Sequence, residues 1–200
     1  MPKVVDAAQK RAELADATWR VIGKEGFPAV TLRRIAREAN CTTGALSRYF
    51  SNREALLIET LRTAHDAATS RMVAKLRITT GDFERLEAIV LEALPLDPVR
   101  LREWKTRLVF WSAASENDTL REENVSRFQR WGELLEELLA PIVRRTDIAR
   151  RESELIRALV DGFALRLVLH GGGAGRLDDD TNEVLIAVRS YLRDLQRRYA

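Results

Sequence analysis

The sequence predicts an all-α protein, and three observations support this fold class. Apolar residues recur at helical spacing in nearly every segment of the 200-residue chain. No segment combines a sustained apolar and polar alternation with β-branched enrichment, which would indicate a strand. Glycine and proline positions divide the periodic segments into about nine helices, with no internal repeat and no low-complexity linker.

The first three predicted helices form an N-terminal module. The first helix ends near Gly26, Pro28 marks the break, and Thr31 offers its hydroxyl as an N-cap for the second helix. Residues 31–39 and 43–50 then form two short helices joined by a tight turn, which is the spacing of a helix-turn-helix. The residues expected to pack these helices together are Leu14, Ala17, Val21, Ile22, Leu32, Ile35, Ala36, Ala39, Leu46, Tyr49 and Phe50.

Longer helices are predicted for the rest of the chain. One follows the capping sequence 51–54, and the last is expected to be capped by Asp180 or Thr181. Pro98 suits a first helical turn because its missing N–H would be unpaired there. The helix after the capping sequence is predicted to end near residue 78. The next four helices are predicted over residues 82–94, 98–115, 118–145 and 155–169.

Composition excludes several classes of protein. A hydrophobic content of 46% and a charged content of 32% are typical of a soluble globular protein. No segment reaches the roughly 18 apolar residues of a membrane span, and the N-terminus lacks the apolar core of a secretory signal, so we expect a cytoplasmic protein. Cys41 is the one cysteine and the two histidines are isolated, so we expect no disulfide, metal or cofactor.

No catalytic constellation can be identified, and we predict that the chain is not an enzyme. The glycine-rich segment 171–175 is neither preceded by a strand nor followed by Lys-Ser or Lys-Thr. It therefore predicts a flexible turn and not a phosphate-binding loop.

Positive charge is concentrated in the helix-turn-helix. Five arginines and one acid, Glu38, lie between positions 31 and 53, although the net charge of the whole chain is only +3. Residues 1–55 carry ten basic and six acidic side chains, whereas the remainder is almost neutral. A basic end on a neutral body indicates a polyanionic partner at that end, and the helix-turn-helix spacing indicates double-stranded DNA.

The first quarter of the chain resembles the TetR family of transcriptional regulators. Two departures from the commonest family pattern are Cys41 in place of a valine and Ser47 in place of a tyrosine. Ser47 with residues 48–50 is instead similar to the choline-sensing BetI branch, as are residues 110–113 and 160–166. The matching motifs are Gly26-Phe27, Thr31-Leu32-Arg33-Arg34-Ile35-Ala36-Arg37-Glu38-Ala39, Thr43-Gly44-Ala45-Leu46, Tyr49-Phe50 and Arg53-Glu54-Ala55-Leu56-Leu57.

The resemblance implies that the second motif helix enters the DNA major groove. Hydroxyl and arginine side chains can hydrogen-bond base edges or phosphates, and Gly44 and Ala45 would allow close approach. On the family pattern, Thr31, Arg33, Tyr49 and Arg53 contact the phosphate backbone. The affinity for DNA should therefore depend on salt concentration. The predicted DNA-binding residues are Thr31, Arg33, Arg34, Thr42, Thr43, Gly44, Ala45, Ser47, Arg48, Tyr49 and Arg53.

The apolar helix 155–169 predicts a homodimer. Such a helix must be buried by some surface, and helix-turn-helix proteins usually bind two-fold sites as dimers. The resemblance implies that the last two helices form the interface, although helix 155–169 could instead pack within its own subunit. The predicted interface residues are Leu155, Leu159, Phe163, Leu167, Val184, Val188 and Leu192.

Aromatic side chains in the body suggest an effector pocket, which the resemblance also implies. Aromatic rings bind quaternary ammonium by cation–π attraction, so an organic cation or a lipophile is the expected effector. Core packing is the alternative role for an aromatic stripe at helical spacing. The predicted pocket residues are Trp104, Leu108, Trp111, Phe128, Trp131 and Phe163.

These expectations combine into one functional hypothesis. Residues 1–55 form a helix-turn-helix DNA-binding domain, and residues 56–200 form a helical effector-binding and dimerisation domain. The protein would be a transcriptional regulator, most simply a repressor, that binds a pseudo-palindromic operator as a homodimer and is released by a small molecule. A ligand-independent helical DNA-binding or interaction protein is the alternative. Activation is the alternative to repression.

Overall fold

A computed structural model describes residues 7–170 and 177–199, except for the side chains of Phe27, Leu177 and Asp178. This part of the chain forms nine α-helices and one 3-10 turn, Phe27–Ala29, which confirms the all-α prediction. The predicted glycine-rich turn at 171–175 lies outside the described residues. The helices are α1 (Ala7–Glu25), α2 (Leu32–Glu38), α3 (Thr43–Ser47), α4 (Arg53–Ile78), α5 (Asp82–Glu92), α6 (Pro98–Ala114), α7 (Asp118–Val143), α8 (Thr146–His170) and α9 (Leu177–Tyr199).

The chain divides into two compact units. The first contains the residues up to Ala67 together with Lys105–Asn124, and the second contains Ala68–Trp104 together with the residues from Val125 onward. The boundary at residue 55 between a DNA-binding and an effector-binding domain stays a prediction. In the first unit, Leu61 of α4 packs with apolar residues of α6 and α7, which explains why these segments belong together: Phe110, Ala114 and Leu120.

The core of the first unit follows the predicted apolar stripes. Leu14, Ala17, Val21 and Ile22 of α1 are buried. They pack in one cluster with Ile35, Ala36, Leu46 and Phe50, while Leu32, Ala39 and Tyr49 are partly buried against it. Cys41 also packs on this cluster, as expected of a small apolar side chain in the turn. The periodicity therefore identified correctly which faces of the three helices pack together.

Capping interactions determine the limits of α2 and α3. The Thr31 hydroxyl accepts from the Arg34 N–H at 3.1 Å, and the Thr42 hydroxyl accepts from the Ala45 N–H at 3.1 Å. Between these caps, Asn40 has φ 51°, a left-handed conformation that asparagine tolerates better than most residues. The N–H groups of Asn40 and Cys41 donate to the carbonyls of Arg37 and Ala36, which is the Schellman arrangement.

Three predicted helix limits were wrong. Helix α3 ends at Ser47 and not at Phe50, because a turn follows and takes the Phe50 ring into the core. Helix α8 begins at Thr146, nine residues before Leu155. Helix α9 begins at Leu177, so Asp180 and Thr181 lie inside it and do not cap it. Asp180 instead accepts a hydrogen bond from Arg166 of α8 at 2.9 Å.

The second unit buries α8 against α9 along apolar stripes. Side chains of both helices are fully buried there, among them Ile156, Ala164, Val184 and Leu195. None of the helices within 7–170 and 177–199 combines the length and apolar character that crossing a membrane requires. Among the same residues, no group of three or more His, Cys, Asp or Glu side chains is arranged to hold a metal ion.

Candidate nucleic-acid interface

Helix α3 exposes three of its five residues to solvent. Leu46 is the one residue of this five-residue helix that is buried, and it anchors α3 to the module core. Thr43, Gly44 and Ser47 are exposed, as is Arg48 at the C-cap. The Ser47 hydroxyl donates to the Thr43 carbonyl at 3.0 Å, and its oxygen still has acceptor capacity for an outside partner. Helix α3 therefore offers a short, hydroxyl-rich and basic surface.

A shallow depression lies where α2 meets α3. Two arginines one helical turn apart on α2, Arg33 and Arg37, contribute the positive charge, and Thr42 and Thr43 contribute hydroxyl groups. The other lining residues are Ala36, Asn40 and Cys41. Cationic and hydroxyl donors around an open depression suit a phosphate oxygen. Arg37 was absent from the predicted contacts, although its spacing of four residues from Arg33 placed it on the same helix face.

Arg34 differs from the other predicted DNA-binding arginines because its guanidinium is held by two carboxylates. Its Nη2 lies 2.5 Å from Glu25 Oε1 and 2.9 Å from Glu38 Oε2, and its Nε donates to Glu25. These hydrogen bonds raise the pKa of Arg34. The side chain therefore joins α2 to the end of α1. Binding a phosphate would require Arg34 to exchange these partners, and its role as a DNA contact stays a prediction.

Glu38 is the centre of the ion pairs in this module. Besides Arg34, it accepts from Arg20 Nε at 3.1 Å and lies 3.6 Å from Lys24 Nζ. The hydrogen bond from Arg34 has the largest effect on the pKa of Glu38 and the one from Arg20 the next largest. Together they lower this pKa to about 2. The single acid of the basic motif therefore stabilises the crossing of α1 and α2.

The remaining predicted contacts lie at the ends of these helices. Thr31 is exposed at the N-cap of α2, and Arg53 is exposed in the first turn of α4. Tyr49 is half-buried and packs on the module core, so only part of its ring can face a ligand. Ala45 is also half-buried. The structure thus places the predicted DNA-binding residues on α2, α3 and their immediate flanks.

The seven predicted dimer residues divide into two groups. Leu167, Val184, Val188 and Leu192 are fully buried within the chain, so they hold α8 and α9 together and present no surface. Leu159 and Phe163 are half-buried, and Leu155 is 48% exposed. The periodic pattern identified apolar residues but could not distinguish the inward side from the outward side. Exposed apolar residues that the sequence interpretation missed are Leu165, Leu169 and Ile186.

A buried carboxylate joins α8 to α9. Glu152 of α8 is inaccessible to solvent and accepts from the Tyr191 hydroxyl at 2.7 Å and the Tyr199 hydroxyl at 3.0 Å. Arg151 donates to it at 3.2 Å, and Arg198 lies 3.7 Å away. Burial alone would raise the pKa of Glu152, but the bonds from Tyr191, Tyr199 and Arg151 lower it. The carboxylate is therefore held in its charged form.

The predicted pocket residues have several environments. The Trp104 ring is buried and its Nε1 donates to the Ala93 carbonyl at 2.7 Å. The Phe128 ring already has a cationic neighbour, since Arg157 Cζ lies 5.4 Å from its centroid. Leu108, Trp111, Trp131 and Phe163 are half-buried. Trp104 therefore packs in the core, whereas the other aromatic rings have some solvent-accessible surface.

Comparison with known families finds two matching profiles. Residues 14–60 match the tetR family of bacterial regulatory proteins. Residues 83–197 match the C-terminal domain of the BetI-type transcriptional repressor. The two matches include the helix-turn-helix and most of the remaining helices, so both parts of the chain resemble the same kind of protein.

Relatives of similar length support the same grouping. The HTH-type transcriptional regulator BetI of Burkholderia lata is 35% identical over 196 residues, which cover 96% of each chain. The BetI regulator of Paraburkholderia phymatum is 33% identical over 197 residues, covering 94% of this chain and 98% of the relative.

Solved structures share the fold over most of their length. A transcriptional regulator from Saccharomonospora viridis, solved in complex with choline, has a TM-score of 0.79 at 21% identity and covers 93% of this chain and 96% of its own. A transcriptional regulator from Rhodococcus sp. Rha1 also has a TM-score of 0.79, at 25% identity, with 92% and 96% covered.

Proposed function

The chain belongs to the TetR family of transcriptional regulators, with a BetI-type C-terminal domain, and we propose that it binds a pseudo-palindromic operator as a homodimer and is released by a small effector. Its relatives are regulators and not enzymes, as the sequence predicted. We assign DNA reading to residues 1–55 and effector binding and dimerisation to residues 56–200. Its proposed place of action is the cytoplasm, where bacterial DNA lies.

The exposed surface of α3 carries the DNA-binding proposal. Thr43, Ser47 and Arg48 face solvent on or next to a helix that is held to the module by one buried side chain. These residue types hydrogen-bond base edges, while Arg33 and Arg37 beside them suit phosphates. Other proposed contacts to the DNA backbone or bases are Thr31, Thr42, Gly44, Ala45, Tyr49 and Arg53.

Selection of genomic DNA fragments by the purified full-length protein tests this proposal. We expect enrichment of fragments that share a two-fold symmetric sequence, because a dimer presents two copies of α3. Arg48→Ala is the control variant, since this exposed C-cap side chain is not part of the buried core. Enrichment of unrelated fragments to the same extent by both proteins would reject sequence-specific reading.

We propose that outward residues of α8 and α9 form the dimer interface. Leu155, Leu169 and Ile186 are 48%, 67% and 66% exposed, and apolar side chains of this size favour burial in a partner. Gly162 is exposed, and a Cβ placed there would meet nothing within 4 Å, which leaves room for a second helix. Leu155, Gly162 and Leu169 recur every seven residues, so they occupy one face of α8.

Sedimentation equilibrium can test this interface with a matched pair of variants. Leu155→Glu should weaken the dimer, because it places a charge in an apolar contact. Val125→Glu on α7 is the control, since Val125 has the same 48% exposure but lies outside the proposed interface. A wild-type protein that is monomeric at micromolar concentration, or equal effects of the two variants, would contradict the proposal.

We propose an organic cation as the effector. In the second unit, the half-buried Trp131 and Phe163 are candidates to contact it, together with Phe128 and Trp104. Leu108 and Trp111, which belong to the first unit, stay candidates from the sequence pattern. The choline found in the Saccharomonospora viridis regulator makes choline the first compound to test, although the identity of 21% supports only a shared fold. Aromatic faces attract quaternary ammonium groups.

Tryptophan fluorescence can detect such binding. The variant Trp19→Phe removes the tryptophan of the DNA-binding module, so the remaining signal comes from the candidate region. We expect choline or another amine to change this emission at the same concentrations that release DNA. A panel of amines and lipophiles that changes neither emission nor DNA binding would favour a ligand-independent DNA-binding protein.

A further inference from the structure

We infer that Arg11 of α1 is a positioning residue for DNA reading, an inference that rests on the proposed function. Its guanidinium contacts three parts of the first unit. Nη1 donates to the Tyr49 carbonyl at 2.6 Å, Nη2 lies 2.9 Å from Glu59 Oε2 on α4, and Cζ lies 4.5 Å from the centroid of the Phe50 ring. One side chain therefore joins α1 and α4 to the segment that leaves α3.

The contact with Tyr49 is at a point where the chain needs a hydrogen-bond donor. Helix α3 has five residues, and the N–H groups of Arg48, Tyr49 and Phe50 use the carbonyls of Ala45 and Leu46. The Tyr49 carbonyl lies just beyond that short helix and accepts from Arg11. A cation at this end also complements the helix dipole, and a charge-assisted hydrogen bond is stronger than a neutral one.

The other two contacts fix the orientation of the guanidinium. Phe50 is buried, so its ring is a rigid surface on which the planar group stacks. Glu59 is about one-quarter exposed and lies on α4, so the ion pair fixes the Arg11 side chain relative to the helix that follows α3. A lysine could supply the charge but not the flat, multiply donating group that makes all three contacts together.

These contacts determine where the reading side chains lie. Ser47 and Arg48 immediately precede the bonded carbonyl, and Leu46 is the one buried residue within α3 itself. Without Arg11, the exit of α3 would be held only by the packing of Phe50 and the partly buried Tyr49. Hydrogen bonds to base edges need accurate placement, whereas attraction to phosphates tolerates displacement. Loss of Arg11 should therefore reduce discrimination between sequences more than it reduces general DNA affinity.

The test compares two duplex probes of equal length. One is selected from a randomised library by the wild-type protein, and the other is a scrambled version. We expect Arg11→Met to lose about tenfold in affinity for the selected duplex, comparable to one lost base contact, and less than about twofold for the scrambled one. Arg11→Lys should recover part of the loss. Lys10→Met makes the same charge change one residue earlier and should leave the ratio of affinities unchanged.

Salt dependence and hydrogen exchange separate positioning from other roles. With a positioning role, the salt slope of Arg11→Met stays near that of wild type, and amides of residues 46–50 exchange faster while those of α1 do not. Equal losses on both probes with a smaller salt slope would mean that Arg11 binds phosphate, and an unchanged affinity ratio would mean that it only supports folding. Either result overturns the inference.

Two other outcomes can also be interpreted: an Arg11→Met variant that does not fold, and a wild-type protein that selects no sequence. If Arg11→Met does not fold, Glu59→Gln removes one ion pair and leaves the other two contacts of Arg11 in place. A partial loss of discrimination in that variant supports the inference, and full discrimination overturns it. If the wild-type protein selects no sequence, the proposed function itself fails, whereas normal selection with no effect of the Arg11 and Glu59 variants rejects only the role of Arg11.

Discussion

Removing the Tyr191 hydroxyl should destabilise the second unit measurably. Tyr191→Phe deletes one donor at 2.7 Å from Glu152, a carboxylate that is inaccessible to solvent. A hydrogen bond to a charged group contributes about 1.5–3 kcal/mol, so we expect a loss of about 2 kcal/mol in the free energy of unfolding. For a chain of about this length, that loss corresponds to about 4–8 °C in melting temperature.

Urea unfolding at a fixed protein concentration is the appropriate assay, because assembly also contributes to apparent stability. The midpoint should fall with an unchanged m-value. Tyr199→Phe should cost less, about 1 kcal/mol, because its bond to Glu152 is longer, at 3.0 Å. Asp194→Asn on the exposed side of α9 is the control and should change stability by less than about 0.5 kcal/mol.

The pH dependence supplies an independent check of the same reasoning. The tyrosine hydroxyls help to lower the pKa of Glu152, so their stabilisation is present above the usual carboxyl range and is lost as the pH falls from that range through the lowered pKa. The difference between wild type and Tyr191→Phe should therefore shrink below about pH 4.5. A difference under about 0.5 kcal/mol at neutral pH, or one that grows in acid, would refute the proposed role of the carboxylate.

Three other predictions concern the DNA-binding module. Asn40→Val should destabilise it by about 1–2 kcal/mol in thermal unfolding, because a β-branched residue is strained at φ 51°, whereas Asn40→Gly should be nearly neutral. Glu38→Gln should reduce the module's acid sensitivity between about pH 4.5 and 2, since the low pKa of Glu38 means that its stabilisation disappears as the pH falls through that range; circular dichroism would measure this. In DNA titrations, Arg48→Ala should weaken binding to the selected duplex most, whereas Arg53→Ala should weaken all duplexes and lower the salt slope by about one.

Local sequence signals predicted the N-terminal module well. The Thr31 cap, the packed faces of α1 to α3 and the start of α6 at Pro98 all depend on residues within a few positions of one another. Capping and amphipathic periodicity act at this range, so the sequence alone reveals them. The end of α3 was mistaken because Tyr49 and Phe50 continue the apolar periodicity although the backbone has already left the helix.

Interactions between distant residues could not be predicted in the same way. Glu152 is separated from Tyr191 and Tyr199 by 39 and 47 positions, and Arg34 engages Glu25 across the junction of two helices. Periodicity also shows that Leu155 and Val184 are apolar without showing that one faces outward and the other inward. Choosing among many possible charged partners requires the helix crossings, which only the three-dimensional structure contains.

The small number of anchors in α3 has a consequence for how such regulators diverge. Most of its side chains do not take part in the core, since Leu46 alone is buried, while the N-cap Thr42 lies outside the helix. Exchanging Thr43, Gly44 or Ser47 should therefore alter base preference at little cost in stability. The same scaffold can be retargeted to new operators, in nature or in the laboratory, by varying a few surface positions while the fold is retained.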